Sequence, residues 1–380
     1  MKATVYRCIE IGALSVCAAA VLLAGPGRAV AQEPSVAVQE EKIATPTVEK
    51  QIAEVKPDGT LMWGDVADAE AGVEVPYRVV GTLPSNWDDF DTYHYEFSDA
   101  LDPQLVIDLS SVKITLGGGS SKSDITAGFH ITLSEDNVLT VATQDLKAVA
   151  PEATRASTVT LTYTAHLDPA LAVPGMGDPA DNYVHLAYTA KPGSSGIGRT
   201  VEDWARLLTW GIDLQKVSSG QGVNLAGAVF TVQDADGRHV RADGTLSADP
   251  VEHVTDGAGM IRIVGMDSGV YTITEVRAPK GYRKLAAPLT VTLSSTLAPN
   301  DSSVHARVLG VGAETGASRD DGVPCMRVVN ASLKDPAPSG LAQTGDNAVL
   351  VASGVALAGA CCIGAALATH RNARQQGEGR

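Results

Sequence analysis

Between residues 48 and 330 the chain alternates apolar and polar positions with a period of two. Val73–Val80, Val159–Leu167, Val184–Tyr188, Val229–Val232, Ile261–Val264 and Val270–Ile273 all follow this pattern, and Gly, Pro, Asn and Asp separate the runs. Alternation of Val, Thr, Tyr and Ile bounded by turn formers predicts short strands with one buried face. The expected class is all-β, built from antiparallel strands packed as sandwiches. Helical apolar runs occur only near the ends, at Ile11–Ala24 and Ala348–Ala368.

The two end runs carry different flanks. Lys2 and Arg7 precede the first, and Ala29-Val30-Ala31 follows it. A basic start, an apolar stretch and a small-x-small triplet predict a secretory signal over 1–31, cleaved after Ala31. The second run is 21 residues long, close to the ~20 needed to cross ~30 Å of hydrocarbon as a helix. Arg371, Arg374 and Arg380 follow it and would hold that end in the cytoplasm. Immediately before it stands Leu341-Ala342-Gln343-Thr344-Gly345. Pentapeptide, apolar span and basic tail in this order resemble a Gram-positive cell-wall sorting signal. The resemblance implies that a sortase cuts between Thr344 and Gly345 and joins the Thr344 carboxyl to an amine of peptidoglycan, of its lipid precursor or of another subunit. Membrane attachment would then be only a stage before sorting. Ala342 stands where the commonest form of the motif has Pro, which bears on which sortase acts.

Charge and cysteine content narrow the picture. The whole chain carries a net charge of −15; without the signal (+2) and the tail after Thr344 (+1), residues 32–344 carry −18. So acidic a surface argues against a nucleic-acid partner. Four of the five cysteines, Cys8, Cys17, Cys361 and Cys362, lie in the signal or the span, leaving Cys325 alone. No intrachain disulfide is then available to an exported protein that would ordinarily use them.

A mature chain of this length predicts two domains at roughly 100–200 residues each. The expected division is a linker at 32–47, a first sandwich over 48–192, a connecting stretch at 193–210 and a second sandwich over 211–334. A linker with the sorting motif (335–346), a transmembrane helix (347–370) and a basic tail (371–380) complete it. In the second sandwich, Tyr271-Thr272-Ile273-Thr274-Glu275-Val276-Arg277-Ala278-Pro279-Lys280-Gly281-Tyr282 resembles the E-box of collagen-adhesin B-type (SpaA-like) pilin domains. Ile212–Val217, Leu225–Phe230 and Val328-Val329-Asn330 stand in the order of that family's strands. The resemblance implies an immunoglobulin-like sandwich closed by an intramolecular isopeptide bond, with Lys216 as donor, Asn330 as acceptor and Glu275 as acid. The residue types fit such chemistry. Burial disfavours the charged amine and frees it to attack, and a buried protonated Glu can hydrogen-bond the carboxamide oxygen and shuttle protons. The alternative is an ordinary Lys216–Glu275 salt bridge.

The first sandwich resembles the isopeptide-forming fimbrial domain of backbone pilins. The resemblance rests on Gly72–Tyr77, Leu83–Asn86, Tyr95–Leu101, Val159–Leu167 and Asn182–Tyr188. It implies a second bond, for which Lys50, Asp99 and Asn182 are the candidates, with Lys42 and Lys56 as neighbouring donors. Thr189-Ala190-Lys191 replaces the Ser-Asn that usually continues this strand. Lys191 lies near the place of the lysine that accepts the next subunit in polymerising pilins, without the preceding Pro.

Other chemistry finds no sequence support. The histidines are scattered without metal-ligand or dyad spacing, and Gly117–Ser121 reads as a hairpin tip, not a phosphate cradle. No enzymatic activity, cofactor or metal is expected. Two readings remain: a structural pilus subunit anchored to the cell wall, polymerised with other pilin subunits and supporting adhesion; or a monomeric wall-anchored adhesin that binds a host or partner-cell ligand.

Overall fold

The computed structural model describes residues 45–56, 58–118, 122–315 and 323–335, all within one compact unit. The signal, the sorting motif Leu341–Gly345, the 348–368 span, Lys42 and the Gly119–Ser121 tip lie outside the described residues. Among those described, no helix is long and apolar enough to cross a membrane.

Two sandwiches follow one another along the chain. The first holds β1 (Val48–Val55), β2 (Leu61–Gly64), β3 (Val66–Asp68), β4 (Val75–Thr82), β5 (Tyr95–Leu101), β6 (Leu105–Gly117), β7 (Ser123–Asp124), β8 (His130–Leu133), β9 (Val138–Thr143), β10 (Thr158–Leu167), β11 (Ala180–Thr189), β12 (Ile197–Arg199) and β13 (Asp203–Leu208). The second holds β14 (Trp210–Ser218), β15 (Val229–Gln233), β16 (His239–Val240), β17 (Leu246–Ser247), β18 (His253–Val254), β19 (Met260–Met266), β20 (Gly269–Arg277), β21 (Leu289–Thr296), β22 (Ser303–Leu309), β23 (Ala313–Thr315) and β24 (Cys325–Asn330).

In the first sandwich, a sheet in the order β2-β1-β4-β10-β6-β7 faces one in the order β3-β13-β11-β5-β9-β8, with β12 on β11. In the second, β19-β14-β24-β23 faces β17-β16-β15-β20-β21-β22, with β18 on β15. Alternation decides which face is buried. Tyr77 and Val79 of β4, and Val159, Leu161, Tyr163 and Ala165 of β10, all point into the first core, while the residues between them are partly exposed. Ile212, Leu214, Phe230, Ile263, Ile273 and Met326 build the second core.

Two features depart from the sequence reading. Residues 193–210, expected to connect the domains, instead supply β12 and β13, and β13 pairs with β11 through Asn182↔Ala205. Its buried Ala205 and Leu207 explain why: an edge of the first core needs covering, and the Pro-Gly-Ser run before it is only a turn; Leu208, next along, already packs in the second core. The true hinge is Thr209, the single residue between β13 and β14. The sheets are also not wholly antiparallel, because β13 runs parallel to β3 and β14 parallel to β24. The second pairing brings the first and last strands of the second sandwich side by side.

The junction is tightly made. The Ala71 N–H donates to the Gly265 carbonyl at 2.9 Å and the Thr209 hydroxyl to the Met266 carbonyl at 3.0 Å. Arg206 grips Asp181 through two bonds of 2.6 and 2.9 Å and reaches the Pro299 carbonyl at 2.9 Å. Gly265 has φ +78°, and a Cβ there would lie 2.2 Å from the Asp243 carbonyl oxygen, so only glycine lets these backbones approach.

Candidate functional site

In the first core, β1 turns Lys50 and Ile52 inward. Lys50 lies opposite Val79, and Tyr163 opposite Tyr77 one strand further on. The facing sheet presents Asp99 and Asn182 from adjacent strands: Asp99 opposes Val184, two residues along β11 from Asn182, so both side chains share a face. Lys50, Asp99 and Asn182 are all fully buried. Lys50 Nζ donates to the two Asp99 oxygens at 2.5 and 2.6 Å and to the Tyr163 hydroxyl at 2.9 Å. Tyr163 donates to Asp99 Oδ2 at 2.7 Å and accepts from Asn182 Nδ2 at 2.7 Å. One hydroxyl thus uses its donor and both lone pairs to join all three candidates. The Tyr77 ring stacks on Tyr163 at 5.2 Å and 8°, closing the site with apolar surface. Burial pulls the Lys50 amine below its ordinary pKa, against the opposing charge of Asp99.

The second cluster is assembled differently. Lys216 on β14 opposes Val328 on the parallel β24, and Asn330 follows two residues later on the same face. Glu275 reaches them from β20 in the facing sheet. Lys216 Nζ donates to Asn330 Oδ1 at 2.5 Å and to the Val328 carbonyl at 3.1 Å. Asn330 Nδ2 donates to Glu275 Oε1 at 2.8 Å, and Glu275 Oε2 accepts from the Leu285 N–H at 2.7 Å. Lys216 and Glu275 themselves stand 4.0 Å apart. Lys216 is fully buried, and Asn330 and Glu275 are within 1% of it. Desolvation pushes the Lys216 pKa down to about 8, against the pull of Glu275. About a tenth of such an amine is neutral at pH 7.

The Glu275 contact corrects one expectation. The carboxamide oxygen of Asn330 is occupied by the lysine, so Glu275 meets the amide nitrogen instead. That places the acid beside the leaving group of an acyl transfer, not beside the oxygen that gains charge.

The other candidate lysines stand apart. Lys56 pairs with Glu54 at 3.5 Å with its side chain 40% exposed. Lys191 is exposed just after β11, in a turn where its carbonyl accepts from the Ser194 N–H. Cys325, partly buried at the start of β24, does not join either cluster. Sequence reasoning missed Tyr163. The parity of Tyr163 with Leu161 and Ala165 marks it as inward, yet nothing in the sequence shows that it faces Lys50.

With this geometry established, comparison with known proteins adds the following. A family model described as SpaA, prealbumin-like fold domain, matches residues 211–303. Comparison with curated proteins finds no match. Among solved structures, the group B streptococcus pilus 2b backbone protein matches at 18% identity and TM-score 0.53, over 74% of this chain and 97% of its own. A 35 kDa C-terminal fragment of the major pilin GBS80 of Streptococcus agalactiae matches at 16% and 0.53, over 75% and 99%. The pilus backbone protein RrgB of Streptococcus pneumoniae matches at 16% and 0.51, over 76% and 100%. The tandem-sandwich fold is thus the fold of these structures.

Removing the Tyr163 hydroxyl isolates its role. Tyr163→Phe leaves Asn182 and Asp99 buried and short of a partner, and should lower unfolding stability by about 1–3 kcal/mol in chemical denaturation. An unchanged midpoint would show that the hydroxyl does not organise the site.

Proposed function

We propose that this chain is a structural pilus subunit of a Gram-positive bacterium, closed internally by Lys–Asn isopeptide bonds and attached by a sortase at the cell surface. The observation that carries the proposal is the Lys216–Asn330–Glu275 contact, with Lys216 and Asn330 on the first and last strands of a sandwich whose fold is that of pilus backbone proteins. In the second sandwich the neutral Lys216 amine attacks Asn330 Cγ. A proton passes from Nζ through Glu275 to the amide nitrogen, the C–N bond to that nitrogen breaks, and ammonia leaves as the new amide forms. The Lys50–Asp99–Asn182 cluster is proposed to close the first sandwich by the same exchange, with Asp99 as proton carrier and Tyr163 as the bridge. No cofactor or metal enters this chemistry.

The proposal extends to the whole chain. The signal at 1–31 directs export, and the 347–370 helix and basic tail hold the protein at the membrane until a sortase cuts after Thr344. The freed Thr344 carboxyl is then joined to Lys191 of the next subunit or to peptidoglycan. An adhesive role would follow from such a fibre.

Three variants test these assignments. Glu275→Ala keeps both reacting residues and should block loss of ammonia from the second sandwich; a bond that still forms would remove Glu275 from its role. On cells, Thr344→Ala should leave the protein membrane-held and out of the wall fraction. Lys191→Ala should collapse the ladder of detergent-resistant polymers to monomer. A wild-type protein that forms no ladder and is wall-attached only as monomer would favour the monomeric adhesin.

A further inference from the structure

The junction between the sandwiches holds a group of carboxyls that the cross-linking chemistry does not use. Asp68 ends β3, Glu70 follows it, and Glu54 reaches in from β1. Asp267 comes from the tight turn between β19 and β20 of the second sandwich. Asp68, Glu70, Glu74, Arg238 and Asp267 line a cavity of about 250 Å³. Asp68 is 5% exposed and accepts the Trp210 indole N–H with one oxygen, while its other oxygen, Oδ1, meets no donor among the described residues. Glu54 Oε2 accepts the Asp68 backbone N–H at 3.2 Å, and burial together with the neighbouring Asp68 charge pushes the Glu54 carboxyl above its ordinary pKa. Among the described residues, no three of these groups converge in an arrangement that could hold a metal ion.

Compensating cations are few. Arg238 faces Glu70 but is committed to Asp234 and Asp236 at 2.7 and 3.2 Å. Lys56 touches Glu54 from the solvent side at 3.5 Å. Glu74 is held by His166 at 2.7 Å on another wall. Tyr271 donates to the backbone carbonyl of Asp267, not to its carboxyl, and among the described residues Asp267 Oδ1 accepts the Ser268 N–H. Full ionisation of Glu54, Asp68, Glu70 and Asp267 would leave four negative charges around a mostly apolar seam, against Lys56 at its solvent side and an Arg238 already paired with Asp234 and Asp236.

We propose that this seam is a proton-controlled latch, in which protonated Glu70 and Asp267 hold the two sandwiches together and their ionisation loosens the joint. The backbone contact it guards is Ala71 N–H to Gly265 carbonyl, which crosses from one sandwich to the other just after Asp68 in the chain and just before Asp267. Burial, reinforced by Asp68 and Glu54, pushes the Asp267 carboxyl up to about 8, and burial pushes Glu70 up to about 7. A closed seam therefore binds protons that an opened, hydrated one releases. Its opening constant should rise with pH from the ordinary carboxylate range near 4 up to about 8 and level off above, by at most about tenfold per pH unit per group. The latch does not depend on the isopeptide bonds or on sortase attachment.

Hydrogen exchange on the full-length chain in detergent tests this, with rates corrected for the intrinsic effect of pH. The opening constant of the Ala71 amide should rise at least about tenfold between about pH 6 and pH 8, while that of Leu161, paired with Val79 in the middle of the first sandwich, stays constant. Asp267→Asn should keep the Ala71 amide protected and remove most of the rise. Glu70→Gln, at the rim, should reduce it; if Asp267→Asn fails to fold, shown by loss of protection at Leu161, Glu70→Gln decides alone. A wild-type Ala71 opening constant that does not change with pH, or one that rises equally in the folded variants, overturns the proposal.

Discussion

Each sandwich is organised around a lysine amine that has been taken out of water. Moving an unpaired ammonium into a protein interior costs several kcal/mol even after relaxation, and a sandwich core cannot relax far. The fold answers in two ways. At Lys50 it surrounds the amine with Asp99, Tyr163 and the faces of two tyrosine rings, each 5.5 Å from Nζ. At Lys216 it supplies only carbonyl oxygens at hydrogen-bond distance and keeps the carboxylate at 4.0 Å. The second amine has less to hold its charge, so it is the better poised to become a neutral nucleophile. In either case the proposed bond would remove the problem altogether, since a secondary amide carries no charge to desolvate.

The positions of the two lysines also define a path for force. Lys216 and Asn330 lie on the first and last strands of the second sandwich, neighbours in one sheet. A covalent link there would carry tension from β14 straight to β24 without loading the strands between. In the first sandwich Lys50 is on β1 and Asn182 on β11, in opposite sheets. A link there would bypass everything from β2 to β10, after which the chain passes through β13 and the single hinge residue Thr209 into β14. The load would then fall on two bonds and one junction. The junction's own hydrogen bonds, and the carboxyls packed beside them, are the noncovalent part of that path.

The sequence made much of this legible, for reasons that can be traced to particular residues. The strands of both cores followed from alternation, because a sheet with one buried face must alternate. The Lys, acid and Asn candidates follow from motif resemblance; in the structure Asn330 touches both Lys216 and Glu275, whereas Asn182 is joined to Lys50 and Asp99 through the Tyr163 hydroxyl. Three things were not readable. Asp203–Leu208 follows a Pro-Gly-Ser turn and reads as a connection, although its buried Ala205 and Leu207 cover an edge of the first core. The hub role of Tyr163 depends on register across two strands and on the facing sheet, neither of which is local. The orientation of Glu275 toward nitrogen depends on which atom of Asn330 the lysine claims. The junction carboxyls are further still from legibility, since Asp68 and Asp267 line one cavity from far-separated parts of the chain.

If both buried lysines end as amides, the intact mass of the mature chain under denaturing conditions falls below the sequence mass by two ammonias, with cross-linked peptides joining Lys216 to Asn330 and Lys50 to Asn182. An unshifted mass would contradict the proposed bonds and leave two buried ion-and-amide clusters in an uncross-linked pair of sandwiches.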